Sequence, residues 1–122
     1  MKYLHTDDAP AAVGPYSQGI MAGKTIYVSG QLPVKGGVLQ TDVTDATIAS
    51  LNNIQSIVSS AGGGKENIVK CAVFIENMSN FSEMNEAYAK FFGSHKPARS
   101  CVEVSRLPKG AILEIEAIAV ID

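Results

Sequence analysis

The fold of this chain depends on the stretch ILEIEAIAVI, residues 112–121. Alternate residues of a β-strand point to opposite faces of a sheet, and most residues of both sets are apolar here. Such a strand needs cover on both faces of its sheet. The elements that precede it in the chain have to supply that cover.

Two helices are predicted upstream from apolar residues spaced three and four apart. The first occupies residues 42–61 and ends at the glycines of 62–64, which tolerate the left-handed conformation that terminates helices. The second occupies residues 81–92, and Asn80 followed by Glu83 predicts a capping box at its start. Its predicted buried face comprises Phe81, Met84, Tyr88 and Phe91.

Short strands surround these helices in the sequence. The first two form a hairpin across Gly23 and Lys24, residues 34–39 form a turn or loop, and the pattern allows a short strand at the very start of the chain. The strand segments are residues 17–22, 25–29, 68–75, 98–104 and 112–121. Because strand–helix–strand steps are right-handed crossovers, both helices should lie on one face of a mixed sheet. The sequence thus predicts a single α+β domain over residues 1–122.

One face of this sheet is left without helices, although residues 112–121 are apolar on both faces. We expect another subunit to bury that face, because monomers seldom expose large apolar surfaces. The charged fraction of 18% agrees with this, being below the ~25% of ordinary domains. The alternative is that loops of the same chain cover the second face.

Composition narrows the range of functions. The net charge is −2 and the basic residues form no cluster, whereas nucleic-acid binders carry basic patches, so we expect no nucleic-acid partner. The N-terminus is too polar for a signal peptide, and no apolar run approaches the ~20 residues of a membrane span. Cys71 and Cys101 form no CxxC pair. We therefore expect a cytoplasmic protein with reduced thiols and no membrane partner.

The segment PARSCVEV, residues 97–104, is the most informative for function. The pleat places Arg99 and Cys101 on the same face of an apolar strand, where an unpaired charge is unfavourable. A guanidinium there can bind a carboxylate through two parallel hydrogen bonds, which predicts an anchor for a small anion. The alternative is an edge-strand arginine paired with an internal Asp or Glu.

Two carboxylates, Glu114 and Glu116, interrupt the last apolar strand. A partly buried carboxylate can hold or deprotonate a water molecule. Alternatively, both are solvated or pair with Arg99 or Arg106. Upstream, Tyr16 is presented by a tight turn, and Gly30 ends a strand where a ligand could approach the backbone.

Thiol and metal chemistry have weaker support in the sequence. His95 lies six residues before Cys101, so a base near the thiol stays open, although a covalent cysteine mechanism is disfavoured. Two histidines and two cysteines at these spacings match no zinc pattern. The chain contains neither a GxGxxG motif nor a P-loop, so the sequence does not predict a nucleotide cofactor.

The chain resembles the Rid family, also called YjgF or L-PSP, over essentially its whole length. The resemblance rests on a series of short motifs in family order: GPYSQ at 14–18, VSGQLP at 28–33, LNNI at 51–54, AG at 61–62, FSEMNEAY at 81–88, PAR at 97–99, VSRLPKG at 104–110 and EIEAIA at 114–119. The SCV that follows PAR is similar to the deaminase-competent RidA branch.

This resemblance implies a chorismate-mutase-like fold and a homotrimer with clefts between subunits. It implies hydrolysis of 2-iminobutanoate and 2-iminopropanoate, released by pyridoxal-phosphate enzymes, to 2-oxo acids and ammonia without a cofactor or metal. Arg99 should then bind the substrate carboxylate and Glu114 should position the attacking water. The remaining substrate-binding residues implied by the family are Tyr16, Ser29, Gly30, Asn85 and Cys101.

Two departures from the family pattern stand out. The segment from Gly93 to Lys96 is shorter than in many relatives, which bears on the rim of the pocket and on substrate preference. Ala46 stands where relatives often carry glutamine, which bears on trimer contacts. Two competing functions stay open, namely an endoribonuclease or translation inhibitor, and a non-catalytic trimer that binds small metabolites.

Overall fold

The computed structural model describes residues Met1–Asp122 and consists mainly of a six-stranded sheet with two helices on one face. The helices are α1 (Val43–Ser60) and α2 (Phe81–Phe92). The sheet strands are β1 (Lys2–Leu4), β2 (Gly19–Ala22), β3 (Thr25–Gln31), β6 (Ile68–Ile75), β7 (Ala98–Glu103) and β8 (Leu113–Val120). A separate two-stranded hairpin comprises β4 (Val34–Lys35) and β5 (Val38–Leu39).

The strand order is β1-β2-β3-β8-β6-β7, so the last strand in sequence lies between β3 and β6. Only β6 and β7 are parallel, and α2 forms the crossover between them. The α+β fold with a mixed sheet and both helices on one face is therefore confirmed. Alternate residues of β8, among them Leu113 and Ile115, are fully buried against the helices.

The two helices start differently, and a cap was predicted only for α2. The Asp42 carboxylate accepts a hydrogen bond from the backbone N–H of Asp45 at 3.0 Å, which is an ordinary N-cap. The predicted capping box at Asn80 is wrong, because Asn80 has non-extended backbone angles and makes no side-chain cap. It already ends a 3₁₀ turn that Asn77 caps, and Glu83 instead accepts a hydrogen bond from the Thr44 hydroxyl of α1 at 3.1 Å.

Three further details differ from expectation. Met84 and Tyr88 are buried as predicted, but Phe92 completes their row one turn later, while Phe91 is only half-buried. Residues 34–39 form the β4–β5 hairpin rather than a plain loop. Ala46 is fully buried in the core. The presence of alanine where relatives often carry glutamine therefore does not alter a surface that could contact another subunit.

The sheet face opposite the helices is open. Tyr27 on β3, Val102 on β7 and Val120 on β8 all point to it, with 52%, 47% and 36% of their surfaces exposed. The alternative in which loops of the same chain cover this face is therefore wrong, and burial by another subunit stays a prediction. Neither helix has the length and apolarity needed to cross a membrane.

The two helix starts provide a matched test of capping. We expect Asp42→Ala to lower the free energy of unfolding by about 1 kcal/mol, since an N–H of the first turn loses its acceptor. Asn80→Ala should change it by less than about 0.5 kcal/mol, since no cap bond is lost. Urea denaturation of both variants measures the difference, and equal losses would contradict this description of α2.

Candidate active site

The first group of predicted site residues lines a cleft of about 570 Å³ on the open side of the sheet. The register between β3 and β8 shifts between Val28 and Gln31, a bulge that redirects the end of β3. Tyr16, Ser29, Gly30 and Glu114 all line this cleft. The Ser29 hydroxyl donates to the carbonyl of Ser17 at 2.6 Å, which ties the end of β3 to the turn that carries Tyr16.

Gly30 makes room for the Glu114 carboxylate. A Cβ atom at residue 30 would lie 2.8 Å from the Glu114 Cδ and 2.9 Å from its Oε2, closer than real Cβ contacts. The glycine is thus required by packing against the carboxylate, and not by an unusual backbone angle. The bare backbone of β3 and the Glu114 side chain together form one wall of the cleft.

The electrostatic surroundings of Glu114 favour its neutral form. Partial burial raises the pKa of the Glu114 carboxyl, and repulsion from the neighbouring Glu116 carboxylate raises it further. Neither glutamate forms an ion pair, so the predicted alternative of pairing with Arg99 or Arg106 is wrong within one chain. A carboxylate with a raised pKa is a stronger base toward a bound water molecule than a solvated one.

The structure also assigns roles to residues that the sequence did not single out. Gln18 is buried, and its side-chain amide bonds the N–H of Thr6 at 2.7 Å and the carbonyls of Thr6 and Pro10 at 3.0 and 2.8 Å. These bonds hold the N-terminal segment as a second wall of the cleft. Lys109 lines the same cleft with a positive φ of 61°. Neither role has a sequence signal beyond membership of a motif.

The second group of predicted site residues surrounds Arg99 on β7. Its Nη1 donates to the Asn85 side-chain oxygen on α2 at 2.8 Å. The guanidinium carbon lies 4.8 Å from the centre of the Tyr88 ring and 5.6 Å from that of Phe81. No Asp or Glu side chain lies within salt-bridge distance of Arg99, since the one such contact in the chain joins His5 and Asp7 at 3.0 Å. The alternative in which Arg99 is paired with an internal carboxylate is therefore wrong.

A second cleft, of about 310 Å³, opens beside Arg99 and Asn85. The short loop after α2 forms its rim, and the ring nitrogen Nε2 of His95 bonds the Ile68 carbonyl at 2.7 Å, which fixes that loop to the start of β6. This bond holds the His95 ring at Ile68, and no hydrogen bond joins it to Cys101.

Cys101 lies on the same face of β7 as Arg99, as the pleat predicted, and is half-buried. Burial raises the pKa of the Cys101 thiol, and the Arg99 charge lowers it by less. The neutral thiol is therefore favoured, which is unsuitable for a nucleophile. No three His, Cys, Asp or Glu side chains are grouped to hold a metal ion.

The two groups of residues lie on opposite faces of the sheet. Arg99 is in register with Cys71, which points into the core, whereas Glu114 is in register with Phe74, three residues further along β6. An odd offset along a strand reverses the face. Because β7 and β8 are also separated by β6, the two residues lie roughly 10 Å apart across the strands and roughly 10 Å apart along them. One chain does not bring the guanidinium and the carboxylate to a single small molecule.

Known proteins share this sequence and geometry. The family model described as Endoribonuclease L-PSP matches residues 6–121. The 2-iminobutanoate/2-iminopropanoate deaminase of Escherichia coli K12 is 48% identical over 124 residues, covering 98% of this chain and 97% of that protein. This chain belongs to the Rid (YjgF, L-PSP) family. A RutC family protein of Pyrococcus horikoshii is 44% identical over 119 residues, which cover 95% of the present Rid chain and 94% of its relative.

Solved Rid structures have the same fold. Escherichia coli TdcF with bound serine superposes on this Rid chain with a TM-score of 0.96 at 45% identity, and 100% of both chains is covered. Yeast Mmf1 superposes with a TM-score of 0.94 at 40% identity, covering 99% of this chain and 98% of that one. The family and fold expected from the motifs are thereby confirmed.

The contact between Gly30 and Glu114 can be tested by adding one methyl group. We expect Gly30→Ala to displace the Glu114 carboxylate in a crystal structure and to lower the free energy of unfolding by about 1–3 kcal/mol, as overpacking does. Gly64→Ala is the matched control. Its Cβ would lie 2.8 Å from a carboxylate oxygen of Glu66, but Glu66 is exposed and can rotate away, so we expect a smaller loss of stability. An unmoved Glu114 in the Gly30 variant would contradict the packing argument.

Proposed function

We propose that this Rid chain hydrolyses small 2-imino acids, such as 2-iminobutanoate and 2-iminopropanoate, to 2-oxo acids and ammonia. The site is assembled from two protomers of a homotrimer, with Arg99 of one protomer facing Glu114 of the next. The observation that carries the proposal is the division of the expected site between opposite faces of the sheet. Each half carries an ionisable group that has no ion-pair partner in its own chain.

The open sheet face supports assembly from several protomers. Tyr27, Val102 and Val120 expose apolar surface on the same face as the Glu114 cleft. Burying this face against the next protomer would remove apolar surface from water. It would also bring the β7 edge and Arg99 of that protomer toward the cleft. Closed cyclic assembly with a heterologous contact repeats this arrangement three times.

Arg99 is suited to bind the substrate carboxylate. It is held by a neutral amide oxygen and two aromatic rings, so its charge is not compensated within the chain. A carboxylate that arrives there gains a charge-assisted, bidentate interaction without displacing an internal partner. Asn85 keeps the guanidinium in place, and the backbone around Cys101 and Gly30 bounds the remaining polar end of the substrate.

Glu114 is suited to activate water. In the proposed reaction, the oxygen of water attacks the imine carbon while Glu114 removes a proton from that water, and the imine nitrogen is already protonated. Glu114 then returns this proton to the amine nitrogen of the resulting carbinolamine. As the C–N bond breaks and ammonia leaves, the regenerated carboxylate accepts the hydroxyl proton, which gives the 2-oxo acid, and Glu114 finally releases that proton to ammonia or solvent. Orientation and one carboxylate suffice, because imines also hydrolyse slowly in water.

The relatives support this chemistry in their own names. One relative at 48% identity is named 2-iminobutanoate/2-iminopropanoate deaminase, and the TdcF structure contains serine, an amino acid with the carboxylate and nitrogen of an imino acid. The family description names an endoribonuclease. The net charge of −2 and the absence of a histidine pair at either cleft give an RNA-cleaving site no comparable support.

Mixed trimers test the two-protomer site directly. We expect Arg99→Ala and Glu114→Gln each to abolish imine hydrolysis, because each site loses its anchor or its base. Co-expression of the two inactive chains should restore about one quarter of wild-type activity, since random mixing returns that share of sites to one intact Arg99 and one intact Glu114. Imines are generated by an amino-acid oxidase, and the surviving imine is trapped with semicarbazide.

The matched control mixes Arg99→Ala chains with chains of the double variant Arg99→Ala/Glu114→Gln. No chain in this mixture carries Arg99, so no interface has both Arg99 and Glu114, and no activity should be restored. A lack of recovery in the first mixture, with mixed trimers present by mass spectrometry, would rule out a site shared between protomers. Wild-type trimers that do not accelerate imine loss would rule out the deaminase function itself.

The pH dependence tests the role of Glu114 as the base. Because Glu114 must be ionised to accept a proton, activity falls as pH falls through its pKa, which lies above the usual value for glutamate. Glu116→Gln removes the repulsion that helps to raise the pKa, so we expect the acidic limb of kcat/KM to move to lower pH. Glu76→Gln, which changes an exposed carboxylate outside both clefts, should leave the limb in place. An unmoved limb in Glu116→Gln would contradict Glu114 as the titrating base.

A further inference from the structure

We propose that Tyr88 and Phe81 are positioning residues that hold the Arg99 guanidinium in its carboxylate-binding orientation without neutralising its charge. We call these two side chains the aromatic cradle. The inference rests on the proposed function only for the identity of the bound molecule, since the contacts between the cradle and Arg99 lie within one chain.

The cradle replaces the carboxylate that usually holds a half-buried arginine. Arg99 makes one hydrogen bond, to the Asn85 oxygen at 2.8 Å, and its charge lies over two rings at 4.8 and 5.6 Å. Aromatic faces attract a guanidinium through their quadrupoles, and this attraction is strongest where water is excluded. A carboxylate partner would hold the side chain equally well but would compete with an incoming anionic ligand. The rings fix the side chain and leave its charge available.

Burial keeps Tyr88 neutral in this role. Only 7% of the Tyr88 surface is exposed, and its hydroxyl is buried against the Cys71 thiol, with no oxygen or nitrogen partner. Burial raises the pKa of Tyr88, so the phenol stays protonated and never becomes a counter-ion for Arg99. A buried hydroxyl beside only a weakly bonding thiol adds little to stability, and it is the ring that contacts Arg99. Tyr88→Phe is therefore a variant that preserves the cradle.

The chain offers a matched control on the same helix. The Lys65 ammonium lies 5.1 Å from the centre of the Phe91 ring, and Phe91 is half-buried at the edge of the core. Phe91→Leu thus removes a cation–aromatic contact of similar geometry from α2 but does not touch Arg99. A loss that comes only from weakened helix packing would appear equally in Phe91→Leu and Tyr88→Leu.

The test measures carboxylate binding and turnover in parallel on the full-length protein. The probe is 2-oxobutanoate, titrated by calorimetry into wild type, Tyr88→Phe, Tyr88→Leu and Phe91→Leu. We expect Tyr88→Leu to raise the Kd about tenfold and to raise KM for the imine more than it lowers kcat. Tyr88→Phe and Phe91→Leu should bind 2-oxobutanoate as tightly as wild type.

A spectroscopic readout separates this inference from the proposed function. The Nε–H resonance of Arg99, assigned by its loss in Arg99→Lys, should be resolved in wild type and Tyr88→Phe and averaged in Tyr88→Leu. Where Tyr88→Leu does not fold, Phe81→Leu replaces it and should raise the Kd roughly threefold, since the guanidinium lies further from that ring. If Tyr88→Leu or Phe81→Leu folds and leaves both the Kd for 2-oxobutanoate and the Arg99 resonance unchanged, the positioning role of the aromatic cradle is wrong. If the variants show these effects on binding and on the resonance but the wild type does not turn over imines, the proposed function is wrong and the cradle is not.

Discussion

The pleat of β8 is the constraint on which the core and the site both depend. Leu113 and Ile115 point into the core, so Glu114 between them has to point to the opposite face. A slip of one residue would bury the carboxylate under the helices and expose two isoleucine-sized side chains, which makes the register hard to change. The hydrophobic energy that fixes the core thereby also fixes the place of the proposed base.

Gly30 and Gln18 complete the cleft around the Glu114 carboxylate. The absent side chain of Gly30 is what allows Glu114 to lie against the backbone of β3. The buried amide of Gln18 ties the N-terminal segment to the sheet, since its donors and acceptors are all satisfied by backbone groups of residues 6–10. The cleft wall is therefore rigid before any ligand arrives, which reduces the entropy lost on binding.

Arg99 is the complementary half of the proposed site and follows a different physical logic. Its charge is kept half-buried without an ion pair, which lowers the stability of the fold. The rings of Tyr88 and Phe81 and the oxygen of Asn85 offset part of that penalty. A guanidinium held in this way on one sheet face and a carboxylate with a raised pKa on the other become a single site only when two protomers meet.

Asn85 became a candidate only through the family resemblance. The sequence by itself determined the two helices, the apolar character of both faces of residues 112–121 and the candidate residues Arg99, Gly30 and Glu114. Those features follow from local periodicity and from polar residues in apolar strands, which neighbouring residues alone decide. The Asn80 capping box failed because a preceding 3₁₀ turn had already set the backbone angles there. Only the tertiary structure decided that Arg99 lies on the helix face and Glu114 on the open face. That division depends on strand order and register across β6, β7 and β8, which are contacts between segments distant in sequence.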